Sequence, residues 1–161
     1  MTAIDDLVRA NERLATGGGA LPPTPASKVA IVTCMDARMV PARIFGLEEG
    51  DVHVIRNAGG VAKEALRSLV ISQRLLGTNA IMVLHHTECG MLALQNEEVH
   101  VRVKDDLGTD SSHIDFMPFA DLEQSVRDDV DFLKSSPLIA DESEIRGFVY
   151  DLSTGRVREV A

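Results

Sequence analysis

The sequence predicts an α/β fold: a mainly parallel central β-sheet flanked by helices, in a single domain over residues 1–161. Two observations carry this reading. Short β-branched apolar runs alternate with segments whose apolar residues recur at helical spacing, the pattern of strand–helix–strand crossovers. A length of 161 residues, with 45% hydrophobic and 25% charged residues, suits one packed core rather than a disordered chain. No internal repeat or low-complexity tract interrupts the pattern.

Residues 1–27 read as an N-terminal helix and a Gly/Pro linker, and residues 28–161 as the α/β core. In the first part Ile4, Leu7, Val8 and Leu14 share one helical face, with Thr2 placed to cap its start. Gly17, Gly18 and Gly19 stop that helix, and Pro22, Pro23 and Pro25 continue as a loop. The triple glycine is no phosphate loop, because no strand precedes it and no Gly-Lys-Ser/Thr follows. In the core, Val29–Thr33 is a buried strand and Pro41–Phe45 a short helix with proline in its first turn. Asp51–Arg56 is a second strand, Val61–Leu76 a helix ended by Gly77, and Ala80–Leu84 a third strand. Another helix is expected from Gly90 to about Val99, and Lys104–Pro118 reads as a polar, irregular surface loop. Asp121–Lys134 is an acidic amphipathic helix whose inward face carries Leu122, Val126, Val130 and Leu133. Ile145–Asp151 and Val157–Val160, joined through Ser153, Thr154 and Gly155, form a last strand with a hairpin return.

Composition excludes several classes of function. With 16 Lys+Arg against 25 Asp+Glu the net charge is −9, which argues against binding nucleic acid or an anionic membrane. No apolar run is long enough to span a bilayer, and the acidic, amphipathic start does not resemble a secretory signal. Two cysteines, Cys34 and Cys89, are too few for a disulfide scaffold, so a reducing cytoplasm is the expected location.

Both cysteines fall just beyond the C-terminal ends of expected strands, where open parallel sheets bind their ligands. His86 and Cys89 are three positions apart, so both can reach one metal from a single turn. With Cys34 they make two thiolates and an imidazole, a donor set that suits Zn²⁺. Spacing alone also allows a Cys₂His₂ site using His85, although strand alternation would turn His85 away from His86. An open three-ligand site, the catalytic kind, is favoured. Asp36 and Arg38 stand two apart, able to face the same side of an extended segment and to pair beside the metal. Arg38 would keep Asp36 ionised and oriented.

The segments CMDAR at 34–38, IRNAGG at 55–60 and HTECGM at 86–91 together resemble the β-class carbonic anhydrases, over a span from about residue 28 to YDLSTG near the C-terminus. The likeness is to the short, archaeal and actinobacterial branch. It implies Cys34, His86 and Cys89 as ligands of one Zn²⁺ per chain, and Asp36 and Arg38 as a catalytic dyad. Asp36 would be a fourth ligand in a closed state of the site. Gly59 matches the position whose backbone amide helps hold a substrate or bicarbonate oxygen. The implied reaction is hydration of CO₂ to bicarbonate and a proton by zinc-hydroxide attack. Hydrolysis of carbonyl sulfide or carbon disulfide on the same scaffold is the alternative, and a non-catalytic zinc module a more distant one. The resemblance further implies a homodimer or homotetramer, with the N-terminal helix packing on a dimer partner.

The chain has no Trp, so the Trp-containing bicarbonate site of some regulated relatives is not expected; one Tyr and five Phe leave no obvious aromatic pocket either. His53 reads as a satisfied strand residue, His85 as buried beside the site, and His100 and His113 as surface residues. Met35, Met39, Met82 and Met91 read as core.

Overall fold

The computed structural model describes residues 2–15 and 19–161. Helix α1 (Ala3–Leu14) begins in a capping box: Thr2 Oγ1 accepts from the Asp5 amide at 3.3 Å, and the Asp5 carboxylate accepts from the Thr2 amide at 2.6 Å. It buries none of its residues. Of the glycines expected to stop it, Gly17 and Gly18 lie outside the described residues.

The core runs β1 (Val29–Cys34), α2 (Pro41–Phe45), β2 (His53–Asn57), a single 3₁₀ turn (Ala58–Gly60), α3 (Ala62–Arg74) and β3 (Ala80–His86). It continues through α4 (Asn96–Leu107), α5 (Leu122–Ser135), β4 (Glu144–Asp151) and β5 (Arg156–Glu159). The five strands lie in the order β2-β1-β3-β4-β5. The first three pairings are parallel, and β5 returns antiparallel to β4, as the hairpin signal predicted. From β1 the chain steps to one side for β2 and then crosses to the other side for β3. The C-terminal ends of β1 and β3 therefore flank the point where the winding reverses, the place where such sheets open a crevice.

Two clusters fill the two faces. On one, Ala30, Val32, Ile81, Val83, Ile145 and Val149 pack against Ala65 and Leu69 of α3 and Val126, Val130 and Leu133 of α5. These branched aliphatic side chains remove most of their surface from water, at about 1.5–3 kcal/mol each. Gly147 lets α5 lie close to β4, since a Cβ there would stand 2.9 Å from Val130 Cγ2. On the other face, among the described residues, no long helix packs over the strands. Ile31, Met39, Leu84, Cys34 and Cys89 are covered by Ile44 and Phe45 of α2 and by Leu47.

Three expectations are corrected. The helix expected at Gly90–Val99 starts at Asn96 and runs through Leu107, taking the beginning of the expected Lys104–Pro118 loop into α4. Residues before it turn back toward β1 instead, where Met91 O accepts from the Phe119 amide at 3.2 Å. Met35, read as core, is 65% exposed, because its amide is drawn to Asn57 O and its side chain is left facing out. The segment 35–38 is a turn rather than an extended stretch, closed by the Met39 amide on Asp36 O at 2.9 Å.

Candidate metal centre

Strand β1 ends in Cys34 and β3 in His86, and a tight turn brings Cys89 back beside them. Glu88 makes that turn possible by adopting the left-handed conformation at φ +57°, uncommon for a residue with a side chain. Alternation along β3 sends His86 to the open face and His85 to the helical face, so His85 does not join the group. The donor atoms of Cys34, His86 and Cys89 all lie within 4.8 Å of one another, and all three residues are buried.

These atoms are disposed as a metal would need. His86 Nδ1 lies 2.8 Å from Thr87 O, which fixes the ring proton there and leaves Nε2 with a free lone pair. Nε2 is the one buried side-chain polar atom among the described residues with no hydrogen-bond partner. A buried orphan of this kind costs about 1–3 kcal/mol unless something binds it. Cys34 Sγ and Cys89 Sγ are 3.9 Å apart. Two thiolates at 2.3 Å from one tetrahedral zinc would stand about 3.8 Å apart. The residues present fit a zinc ion.

The electrostatics are those of an anionic pocket with a built-in counterion. The Cys34 thiol is pulled well down, first by the hydrogen bond from Cys89 and then by His86 and the amides of Asp36 and Gly59, against the opposing effect of burial. The Cys89 thiol is pushed up, first by Cys34 and then by burial. For His86, burial acts to lower the pKa, but Cys34, the Thr87 carbonyl and Asp36 outweigh it and the net shift is upward.

Asp36 and Arg38 form the second element. The Arg38 amide and Nε donate to Asp36 Oδ1 at 2.9 and 3.0 Å, and Nη2 donates to Oδ2 at 2.7 Å. This fork holds the Asp36 carboxyl well below the usual carboxylate range. Asp36 Oδ2 lies 3.9 Å from His86 Nε2. Gly59, at φ +84°, turns its amide toward the Cys34 sulfur. Its neighbour Gly60 admits no side chain, because a Cβ would come within 2.9 Å of the Cys34 amide nitrogen. All six residues singled out from the sequence are thus gathered at one end of β1 and β3.

The sequence reading missed their supports. Arg56 donates from Nε to Cys34 O at 3.1 Å and from Nη2 to Asp36 O at 2.7 Å, clamping the loop that carries both. Asn57 spans the 57–61 turn with two hydrogen bonds to Val61, at 2.9 and 2.7 Å. Glu88 holds Arg38 from the far side through Oε2 and its carbonyl, each at 3.2 Å. All three lie within the quoted motifs, so their neighbourhood was visible although their roles were not. His53 is satisfied, as expected, by Ser72 Oγ at 2.7 Å and Pro23 O at 3.1 Å. His100 is only half-buried, against Phe116 and Ser111, and His113 is exposed.

A parallel sheet with a two-thiolate, one-imidazole group at its switch point defines a metalloprotein of the α/β class. The family model for carbonic anhydrase matches residues 29–157. β-Carbonic anhydrase 1 of Mycobacterium tuberculosis is 41% identical over 99% of this chain and 99% of its own length. The crystal structure of carbonic anhydrase from Streptococcus mutans superposes with a TM-score of 0.94 at 48% identity, over 100% of this chain and 99% of that one. Carbon disulfide hydrolase of an Acidianus strain is 33% identical over 80% of this chain and 75% of that protein. The chain belongs to the β-carbonic anhydrase family. Zinc is the metal of that family, and the Cys34–His86–Cys89 group can hold one ion per chain.

Proposed function

We propose that this chain catalyses the reversible hydration of CO₂ to bicarbonate and a proton, with Cys34, His86 and Cys89 as the zinc ligands, Asp36 and Arg38 as the catalytic pair, and the Gly59 amide as the contact for a substrate oxygen. The observation that carries this reading is the orphaned His86 Nε2, aimed between two sulfurs and beside a carboxylate kept ionised by arginine. When bound, zinc supplies the Lewis acidity that makes water a nucleophile near neutral pH.

The chain's own residues supply the rest. Asp36 Oδ1 is taken up by two donors of Arg38, whereas Oδ2 receives one, so Oδ2 keeps lone-pair capacity on the side of His86. It is placed to accept a hydrogen bond from the nucleophile and orient it. Arg38, anchored again by Glu88, keeps that carboxylate from swinging. The Gly59 amide, held by the 57–61 turn, offers a donor for charge developing on a CO₂ oxygen.

Carbon disulfide hydrolysis is the second reading, because relatives of that activity share the fold and much of the sequence. The higher identity and fuller coverage of the carbonic anhydrases favour CO₂. Stopped-flow CO₂ hydration with parallel zinc analysis over a pH series tests the proposal. Turnover with one zinc per chain is expected; turnover of CS₂ or COS without CO₂ would overturn it.

The proposal extends to assembly and place. The apolar residues Ile4, Leu7, Val8 and Leu14 of α1 are all exposed, and an apolar groove of about 480 Å³ runs between β2 and α3 past Val54 and Ile71. These surfaces support a homodimer or homotetramer in which α1 packs on a second copy. No helix among the described residues is long and apolar enough to cross a membrane. The two free cysteines, Cys34 and Cys89, support a reducing cytoplasm as its place.

A further inference from the structure

His85 takes no part in the metal group, yet it is 1% exposed and every polar atom of its ring is engaged. Nδ1 lies 2.9 Å from Ser125 Oγ on α5. Nε2 lies 3.1 Å from Asp129 Oδ2, one turn further along α5, and 3.3 Å from Gly60 O. Both of these neighbours are acceptors, so Nε2 carries the ring proton and shares it between them. The ring also stacks on Phe119, centroids 5.5 Å apart at 22°. Phe119 in turn closes over Gly59, where its Cε1 stands 3.2 Å from the place a Cβ would occupy.

A buried hydrogen-bonded polar couple is a poor way to fill a core, since apolar side chains of the same shape commonly do as well or better. What the couple touches therefore matters. One end is α5. The other is the Ala58–Gly60 turn, held from behind through the Gly60 carbonyl and from above through Phe119. That turn sits against the last residue of β1, and it presents the Gly59 amide to the Cys34 sulfur.

We propose that Asp129 and His85 form a positioning pair that holds the Gly59–Gly60 turn, and with it the Gly59 amide, in register with the metal centre. The pair acts through the turn and touches neither metal nor substrate. Asp129 orients the imidazole, and the imidazole holds the Gly60 carbonyl, which anchors the Gly60–Val61 peptide at the C-terminal end of the short turn whose first half carries the Gly59 amide. Helix α5, which supplies no residue to the centre, is thereby coupled to it. The inference rests on the role proposed for Gly59.

The test uses the zinc-loaded, ¹⁵N-labelled full chain, with thiocyanate as the anion probe and the Gly59 amide resonance as the reporter. In His85→Leu the zinc content is expected to stay at one per chain while the Gly59 resonance moves. Thiocyanate Kd is expected to rise about fivefold, the equivalent of one hydrogen bond of about 1 kcal/mol. Asp129→Asn gives a smaller rise in the same direction. His85→Gln, which can donate to the Gly60 carbonyl from its amide, returns Kd to within about twofold of the parent. A His85→Leu protein that loses thermal stability but keeps the parent's Gly59 resonance and thiocyanate Kd would overturn the proposal, leaving the pair as core filling. If His85→Leu does not fold, Asp129→Asn decides on the same two readouts, since Asp129 sits at the rim of the core. If the parent zinc protein fails to hydrate CO₂, the reaction assigned above is wrong, while the amide shift and anion affinity still decide the positioning claim.

Discussion

His85 and His86 are consecutive residues of one strand, and they end on opposite faces of the sheet in opposite states. On the helical face, His85 meets Ser125, Asp129 and Gly60 and has no valence left over. On the open face, His86 spends one nitrogen on Thr87 O and leaves the other bare beside two sulfurs. The two surroundings differ in the same way. One is closed by two long helices packed on aliphatic side chains; the other is covered by a five-residue helix and turns. A sheet can be saturated on one side and chemically unsaturated on the other because side chains alternate, so stability and reactivity occupy successive positions without competing for them.

The comparison can be broken most severely from the open side. Cys34→Ser should bring zinc below about a tenth of an ion per chain, by atomic absorption, and activity to background, because one thiolate of three ligands is lost. Asp36→Asn is expected to lower kcat/KM by about 100-fold, a typical loss for a proton-handling group. Its zinc content should be unchanged, so full activity would refute the role given to Asp36. On the closed face, Gly147→Ala forces a methyl onto Val126 and Val130. It should cost about 2 kcal/mol in urea unfolding, with little change in kcat/KM for the protein that remains folded.

The smallest effect is sought at the rim of the closed face. Glu123 is held below the usual carboxylate range by Arg127 and then Arg158, which ties α5 to β5. A group with a lowered folded pKa stabilises the fold above its ordinary range and ceases to do so as pH falls through its lowered value. Glu123→Gln should therefore lower Tm slightly at pH 7, and the difference should shrink as the pH drops below about 4. A difference that grows on acidification would contradict the assignment.

Much of this was legible in the residues. The apolar runs Val29–Thr33 and Ala80–Leu84 put Cys34 and Cys89 just past strand ends, and the three-residue spacing joins His86 to Cys89. The spacing predicts the Asp36–Arg38 pair on an extended segment, whereas a turn makes it, since the Arg38 amide itself reaches Asp36 Oδ1. Helix α4 was misplaced because it buries none of its residues, so it carries no apolar stripe to mark its ends. Met91, which the pattern assigned to that helix, packs near Gly59 instead. Asp129 and Phe119 could not be found at all. Their partners are distant in sequence, and a polar residue on the inner side of α5 looks from the sequence like one facing water.

The spacing of the donors also sets where the chain tolerates changes of length. Between His86 and Cys89 stand only Thr87 and Glu88, the latter already at φ +57°. Between Cys34 and His86 lie α2, β2 and α3, with loops that can lengthen without moving either strand end. A residue inserted at 87–88 would swing the Cys89 thiol away from its partners, whereas one inserted in the α3–β3 connection would be absorbed at the N-terminal end of β3, away from the donors. Insertions tolerated by this scaffold should therefore collect in the long crossover and avoid the short turn. A grafted peptide or reporter segment belongs in the former.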